Sequence, residues 1–321
     1  MFRVRTSLLA VLCVFCAATL AMAIEIGDPA PPLQVKEWVK GGPIDMKDGR
    51  GKNVYVIEFW ATWCGPCRTS IPHLTKLQKK YEKDGLVIVG ISSDDRNLEV
   101  VQNFVKDRGD DMDYAVAYEE DEKGKTNAAY MVAFKQRGIP TAFIIDKEGR
   151  IAWLGHPMSM DPVLEAVLAD KWDLAKARKD YAEQQKREEN RTKALPLLEK
   201  YVEAACSPDG EKVCRELAEQ FVPLIDKDSM VLNSISWEIL TNEDFRYRDL
   251  KLALKLAKLA DELTESKHPA IIDTYARALW DTGDKQAAIE LQKKAIELVA
   301  DNPEMKAALE KTLKEYEDKL K

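Results

Sequence analysis

Two cysteines separated by two residues, in Trp63-Cys64-Gly65-Pro66-Cys67, carry the clearest chemistry in this chain. This spacing lets two thiols close and reopen a small disulfide. A strand-like run, Val54 to Trp60, comes directly before the pair, and a helical pattern from Cys67 to Lys80 follows it. Cys64 is therefore expected at the start of a helix, where unpaired backbone N–H groups and the helix dipole favour a thiolate. A thiolate is the species that attacks disulfides, so these residues point to thiol–disulfide exchange.

Other uses of such a pair need partners. A zinc site needs a second Cys or His pair at ligand spacing. Beyond the leader only Cys206 and Cys214 remain, eight positions apart, and His73, His156 and His268 are scattered. Haem attachment requires His directly after Cys67, where Arg68 stands. No metal and no cofactor is expected.

Four features accompany the cysteines. Glu58 interrupts an apolar strand, and a carboxylate buried there would have a raised pKa suited to carrying a proton for the second cysteine. The alternative is a strand edge with Glu58 facing solvent. Gly138-Ile139-Pro140-Thr141 precedes another strand, where the X–Pro bond is either cis or an ordinary trans turn. Pro72 should kink the helix after Cys67 rather than end it. Trp60 and Trp63 flank the pair, with aromatic core the simpler role for Trp60.

The elements that would position these residues alternate. Strands are expected at Val54–Trp60, Leu86–Ile91, Tyr114–Tyr118, Thr141–Ile145 and Arg150–Leu154, and helices at Cys64–Lys83, Leu98–Asp107 and Asn127–Phe134. Asp146-Lys147-Glu148-Gly149 reads as a hairpin turn, and Asp161-Pro162 as the cap of a last helix with Pro at its first position. This order implies a sheet covered on both faces.

Residues 1–23 read as a secretory signal. Arg3 and Arg5 are followed by an uncharged stretch from Ser7 to Leu20 and by Ala21-Met22-Ala23. Cleavage would discard Cys13 and Cys16, and neither is preceded by the small residue of a lipoprotein signal. If uncleaved, the same stretch would serve as a membrane anchor. Either way a periplasmic or otherwise exported domain is expected, where disulfides persist. The net charge of −7, or −9 without Arg3 and Arg5, argues against nucleic acid.

From 171 the character changes. Residues 171–194 are densely charged and read as an exposed connecting helix, and 195–321 is helical in pattern throughout. A shift of 35 residues places Ala253 on Ala288, Ala260 on Ala295 and Leu240 on Tyr275, with Trp237 in the earlier unit. This resembles the tetratricopeptide repeat, in which stacked helix pairs bury a shared core. Leu195–Ile225 would be a degenerate third unit and Pro303–Lys321 a polar cap, with a generic helical bundle as the alternative. Cys206 and Cys214 flank the turn Ser207-Pro208-Asp209-Gly210. They are candidates for a structural disulfide, with free thiols or a second redox pair as alternatives.

The strings Phe59-Trp60-Ala61-Thr62-Trp63-Cys64-Gly65-Pro66-Cys67-Arg68, Ile71-Pro72-His73-Leu74 and Gly138-Ile139-Pro140-Thr141 with Phe143-Ile144-Ile145-Asp146 resemble the thioredoxin superfamily, in particular its exported TlpA/ResA-like branch. The resemblance implies an α/β thioredoxin-like domain over 24–170, followed here by an all-α helical-repeat domain. It makes Cys64 the exposed nucleophile, Cys67 the resolving thiol and Pro140 a cis-proline facing the disulfide. Trp63, Gly65, Pro66 and Ile139 would position the substrate. Glu58 takes the place of a buried acid six residues before Cys64, with Glu where thioredoxin has Asp. Gly-Pro between the cysteines favours a reducing role.

The expected partners are exported proteins containing disulfides, an upstream membrane electron donor that regenerates the dithiol, and a protein docked on the helical repeats. Two other functions fit less of the sequence: a repeat scaffold that uses the thioredoxin-like domain for binding, and an oxidant or peroxidase. Ala61, three residues before Cys64, replaces the Thr or Ser that peroxiredoxins place there.

Overall fold

A computed structural model describes residues 24–120, 124–299 and 301–321, so the expected signal segment lies outside the described residues. The chain forms two compact units, divided between Asp180 and Tyr181.

The first unit is built on β2 (Val54–Trp60), every residue of which is buried. Its apolar, β-branched and aromatic run has the composition of a central strand. It pairs in parallel with β3 (Leu86–Ser92) and antiparallel with β5 (Thr141–Ile145). With β1 (Glu37–Lys40), β4 (Ala115–Tyr118) and β6 (Ile151–Gly155) these make a six-stranded mixed sheet of order β1-β4-β3-β2-β5-β6. The edge strand β1 was not expected from sequence. It is four residues long and none of them is buried, so it lacks the apolar signal of a central strand.

Helix α1 (Gly65–Tyr81) runs unbroken through Pro72 and packs Cys67, Ile71 and Leu74 into the core. Helix α2 (Leu98–Arg108) buries Val101 and Val105 in the same cluster. The expected helix over Asn127–Phe134 is a single turn, α3 (Lys125–Asn127), leading into a π-helical turn at Ala128–Val132. Between β5 and β6, Asp146 accepts from both the backbone N–H and Nε of Arg150 at 2.8 Å, and Gly149 takes φ +77° to close the turn. Asp161 does not cap α4 (Asp161–Leu168). It is the first helical residue, Met160 takes the cap position, and the Asp161 carboxylate instead meets His73 Nε2 at 2.8 Å.

The second unit is helical among its described residues. Helix α5 (Leu174–Ala205), whose first turns belong to the first unit, continues past the expected boundary at 194 as one element of 32 residues. Then come α6 (Glu211–Ile225), α7 (Ser229–Thr241), α8 (Leu250–Leu263), α9 (Pro269–Thr282), α10 (Lys285–Glu297) and α11 (Pro303–Asp318). The repeated alanines Ala253, Ala260, Ala288 and Ala295 are all fully buried, as close helix crossings require. The same shift of 35 relates the caps: Asp249 accepts from Leu252 N at the start of α8, and Asp284 accepts from Ala287 N at the start of α10. Tyr201 and Phe221 meet edge to face at 5.5 Å in this core. No helix among the described residues is long and apolar enough to cross a membrane.

Candidate active site

Strand β2 delivers the chain to the start of α1, where Cys64 is the cap residue and Pro66 stands in the first turn, a place that needs no N–H donor. Cys64 and Cys67 form a disulfide with their Cα atoms 5.3 Å apart. The Cys67 backbone N–H donates to Cys64 Sγ at 3.2 Å. A helix-terminal N–H thus points at the Cys64 sulfur, an arrangement that favours a thiolate there when the disulfide is open. Cys67 is fully buried, and Cys64 keeps 4% of its surface. The expected exposed nucleophile is therefore reached only through a narrow window, because neighbouring loops rise around it.

Those loops form a groove of about 590 Å³ whose walls include Trp63, Pro66, Met131, Val132, Arg137 and Ile139. Trp63 is 63% exposed at its rim, with its indole N–H donating to the Asp94 carbonyl at 2.8 Å. Trp60, by contrast, is fully buried and packs on Phe104 at 5.3 Å. The Ile139–Pro140 peptide is cis, and the Ile139 carbonyl oxygen lies 3.8 Å from Cys64 Sγ. Gly65, beside Cys64, has open space around its α-carbon.

Beneath the pair, Glu58 is completely buried, which rules out the solvent-facing edge. Burial pushes its pKa up to about 8, against the opposing effect of the Ser70 hydroxyl, which lies 3.4 Å from Oε1. Ser70 donates to the Cys67 carbonyl at 2.9 Å, joining the backbone of Cys67 to the carboxyl. A group with this proton affinity exchanges protons with a thiol at little cost.

Sequence reading missed Ser70 and Asp95. Ser70 falls one turn after Cys67, on the buried face of α1, and that spacing was its only signal. Asp95 is 4% exposed; its carboxylate accepts from Thr62 N at 3.0 Å, from Thr62 Oγ1 at 2.5 Å and from Ser92 Oγ at 2.6 Å. It pins the turn that presents Cys64, from a loop 33 residues away from Thr62.

The expected staple between Cys206 and Cys214 is not formed. Cys206 is a free, exposed thiol beyond the end of α5. Cys214 points inward from α6, with its Sγ 3.7 Å from the Tyr201 carbonyl oxygen and its pKa raised by burial first. The two side chains therefore face different surroundings, one in solvent and one in the core. Among the described residues no cluster of three or more His, Cys, Asp or Glu could hold a metal ion.

Residues 26–154 match the AhpC/TSA family. The chain is 36% identical over 128 residues to the thiol-disulfide oxidoreductase ResA of Bacillus thuringiensis subsp. konkukian, covering 40% of this chain and 68% of that one. It is 28% identical over 160 residues to the protein FixW of Rhizobium leguminosarum, covering 48% and 70%. Among solved structures, a putative thiol:disulfide interchange protein DsbE from Chlorobium tepidum matches 46% of this chain and 97% of its own, with 28% identity and a TM-score of 0.38.

Proposed function

Because this chain belongs to the ResA-like family of thiol-disulfide oxidoreductases, we propose that it works as an exported reductase of protein disulfides, with Cys64 as nucleophile and Cys67 as resolving thiol. The observation that carries the assignment of roles is the asymmetry of the pair. Cys64 borders the groove and receives a helix-terminal N–H, whereas Cys67 is sealed in the core.

In the first step the Cys64 thiolate attacks one sulfur of a substrate disulfide. A Cys64–substrate S–S bond forms, the substrate's own bond breaks, and the departing sulfur takes up a proton. Cys67 then loses its proton to Glu58 and attacks Cys64 Sγ. The mixed disulfide breaks, the Cys64–Cys67 disulfide forms, and the second substrate thiol leaves. Two electrons pass from the dithiol to the substrate, and an upstream dithiol donor must return them. The Ile139 carbonyl beside Cys64 supports an extended pose for the substrate backbone, with Trp63, Gly65 and Pro66 bounding the approach.

Export rests on the leader-like residues 1–23. The repeated caps and buried alanines of the second unit support a tetratricopeptide-like array, whose role is to dock a protein partner. The test is Cys67→Ser in the full chain, expressed in the producing cell. Without the resolving thiol, mixed disulfides through Cys64 should accumulate and dissolve on reduction. No adducts, with Cys64 shown to be accessible to an alkylating reagent, would leave the groove as a binding surface without exchange.

A further inference from the structure

The sheet beneath the redox pair holds three polar atoms that are buried and unpartnered: Glu58 Oε2, Trp60 Nε1 and Tyr114 OH. Leaving such groups without partners costs about 1–3 kcal/mol each, so three in one place call for a shared solution. They do lie in one place. Glu58 and Trp60 are two residues apart on β2 and point to the same face. Glu58 stands opposite Gly90 on β3. A methyl group at Gly90 would meet Tyr114 Cε2 at 3.0 Å and Trp60 Nε1 at 3.1 Å, so both rings close over the spot beside Glu58. Tyr114 also feels the carboxyl: burial raises its pKa well above the ordinary value, and the Glu58 charge adds to that.

Resting on the reading of Glu58 as the proton carrier, we propose that Tyr114 is its positioning residue. The Tyr114 hydroxyl and the Trp60 indole N–H hold Glu58 Oε2 through one shared internal water and so decide when that carboxyl releases its proton. Three polar partners are what a buried water requires. The chemistry is one-sided. Trp60 can only donate and Tyr114 stays neutral, so the bridge favours the ionised carboxylate.

The other groups facing the carboxyl are few. Ser70 comes from α1, Gly90 and Ala142 add no titratable side chain from the flanking strands, and Arg108 from α2 acts on Tyr114. Arg108 lowers the Tyr114 pKa but does not reverse the effect of burial.

The test follows the Glu58 carboxyl directly, by carbon-13 NMR titration of the full chain with labelled glutamate, its signal assigned by loss in Glu58→Gln. Tyr114→Phe keeps the ring and removes the hydroxyl. The Glu58 midpoint should rise by about 1 pH unit, the size of one lost contact to a charged group. Site-specific 3-fluorotyrosine at 114, a better donor, should move it the other way and covers the case in which Tyr114→Phe does not fold. In the Glu58→Gln background, Tyr114→Phe should leave the pH profile of disulfide reduction unchanged. An unmoved midpoint in the folded variants, or an equal effect of Tyr114→Phe with and without Glu58, would overturn the proposal. Wild-type pH dependence in Glu58→Gln alone would instead remove Glu58 from the reaction. The direct titration separates these two failures.

Discussion

Cys64 Sγ and the carbonyl oxygen of Ile139 lie 3.8 Å apart, although 75 residues separate them along the chain. The contact places a main-chain acceptor beside the one sulfur of the pair that borders the groove. In the proposed reaction, a substrate disulfide approaching Cys64 would meet this carbonyl at the same time, so attack and alignment would occur at one point. Replacing Cys64 with Ser keeps the side chain's size and removes the nucleophile. Disulfide reduction, followed with an insulin turbidity assay, should fall to background, and retention of full activity would place the chemistry elsewhere.

Glu58 links the proposed reaction to folding stability. In the folded chain its pKa stands at about 8, against an ordinary value of 4.5. Between those values the folded state holds one proton more than the unfolded state. Stability from this site is therefore greatest below the lower value and falls by about 1.4 kcal/mol per pH unit as pH rises towards the upper one. Glu58→Gln removes this slope. Urea melts should show the variant more stable by roughly 3 kcal/mol at pH 7 and little different at pH 4. The resolving step should slow by about 10²-fold, seen as persistence of the mixed disulfide in stopped-flow quench.

Asp95 anchors the turn before Cys64 through Thr62 and Ser92. Asp95→Ala would leave the Thr62 N–H and two hydroxyls without their acceptor in a buried setting. The expected loss of stability is about 1–3 kcal/mol in denaturant melts. Activity should fall through kcat, because the shifted residue is Cys64 rather than the groove wall. An unchanged kcat would confine Asp95 to folding.

The two cysteines of the second unit should react very differently. Cys206 is exposed, while Cys214 is buried with a thiol made less acidic by that burial. Iodoacetamide on the native, oxidised chain should label Cys206 first and Cys214 only on unfolding, read by peptide mass spectrometry. A Cys206–Cys214 linked peptide would restore the staple that sequence reading favoured.

Around the redox pair, the sequence alone was enough for what depends on near neighbours. The Cys64–Cys67 spacing, the apolar strand before it and the helix after it are local patterns, and they place a reactive sulfur at a helix start. Glu58 announced itself as a carboxyl in a strand otherwise built for burial, and the alanine spacing of the second unit announced paired helices. What needed the tertiary structure was each relationship between distant segments. Apolar alternation marks a strand without naming its neighbours, so the mixed order that sets β5 against β2 was not legible in the residue pattern, and the placing of Ile139 and Pro140 against the pair came only from the family resemblance. Asp95, Ser70 and Tyr114 are ordinary polar residues until folding brings them to Thr62, Cys67 and Glu58. The Cys206–Cys214 pairing failed for the same reason. Closeness in sequence across a turn does not say which way a side chain points, and helix packing turned Cys214 into the core.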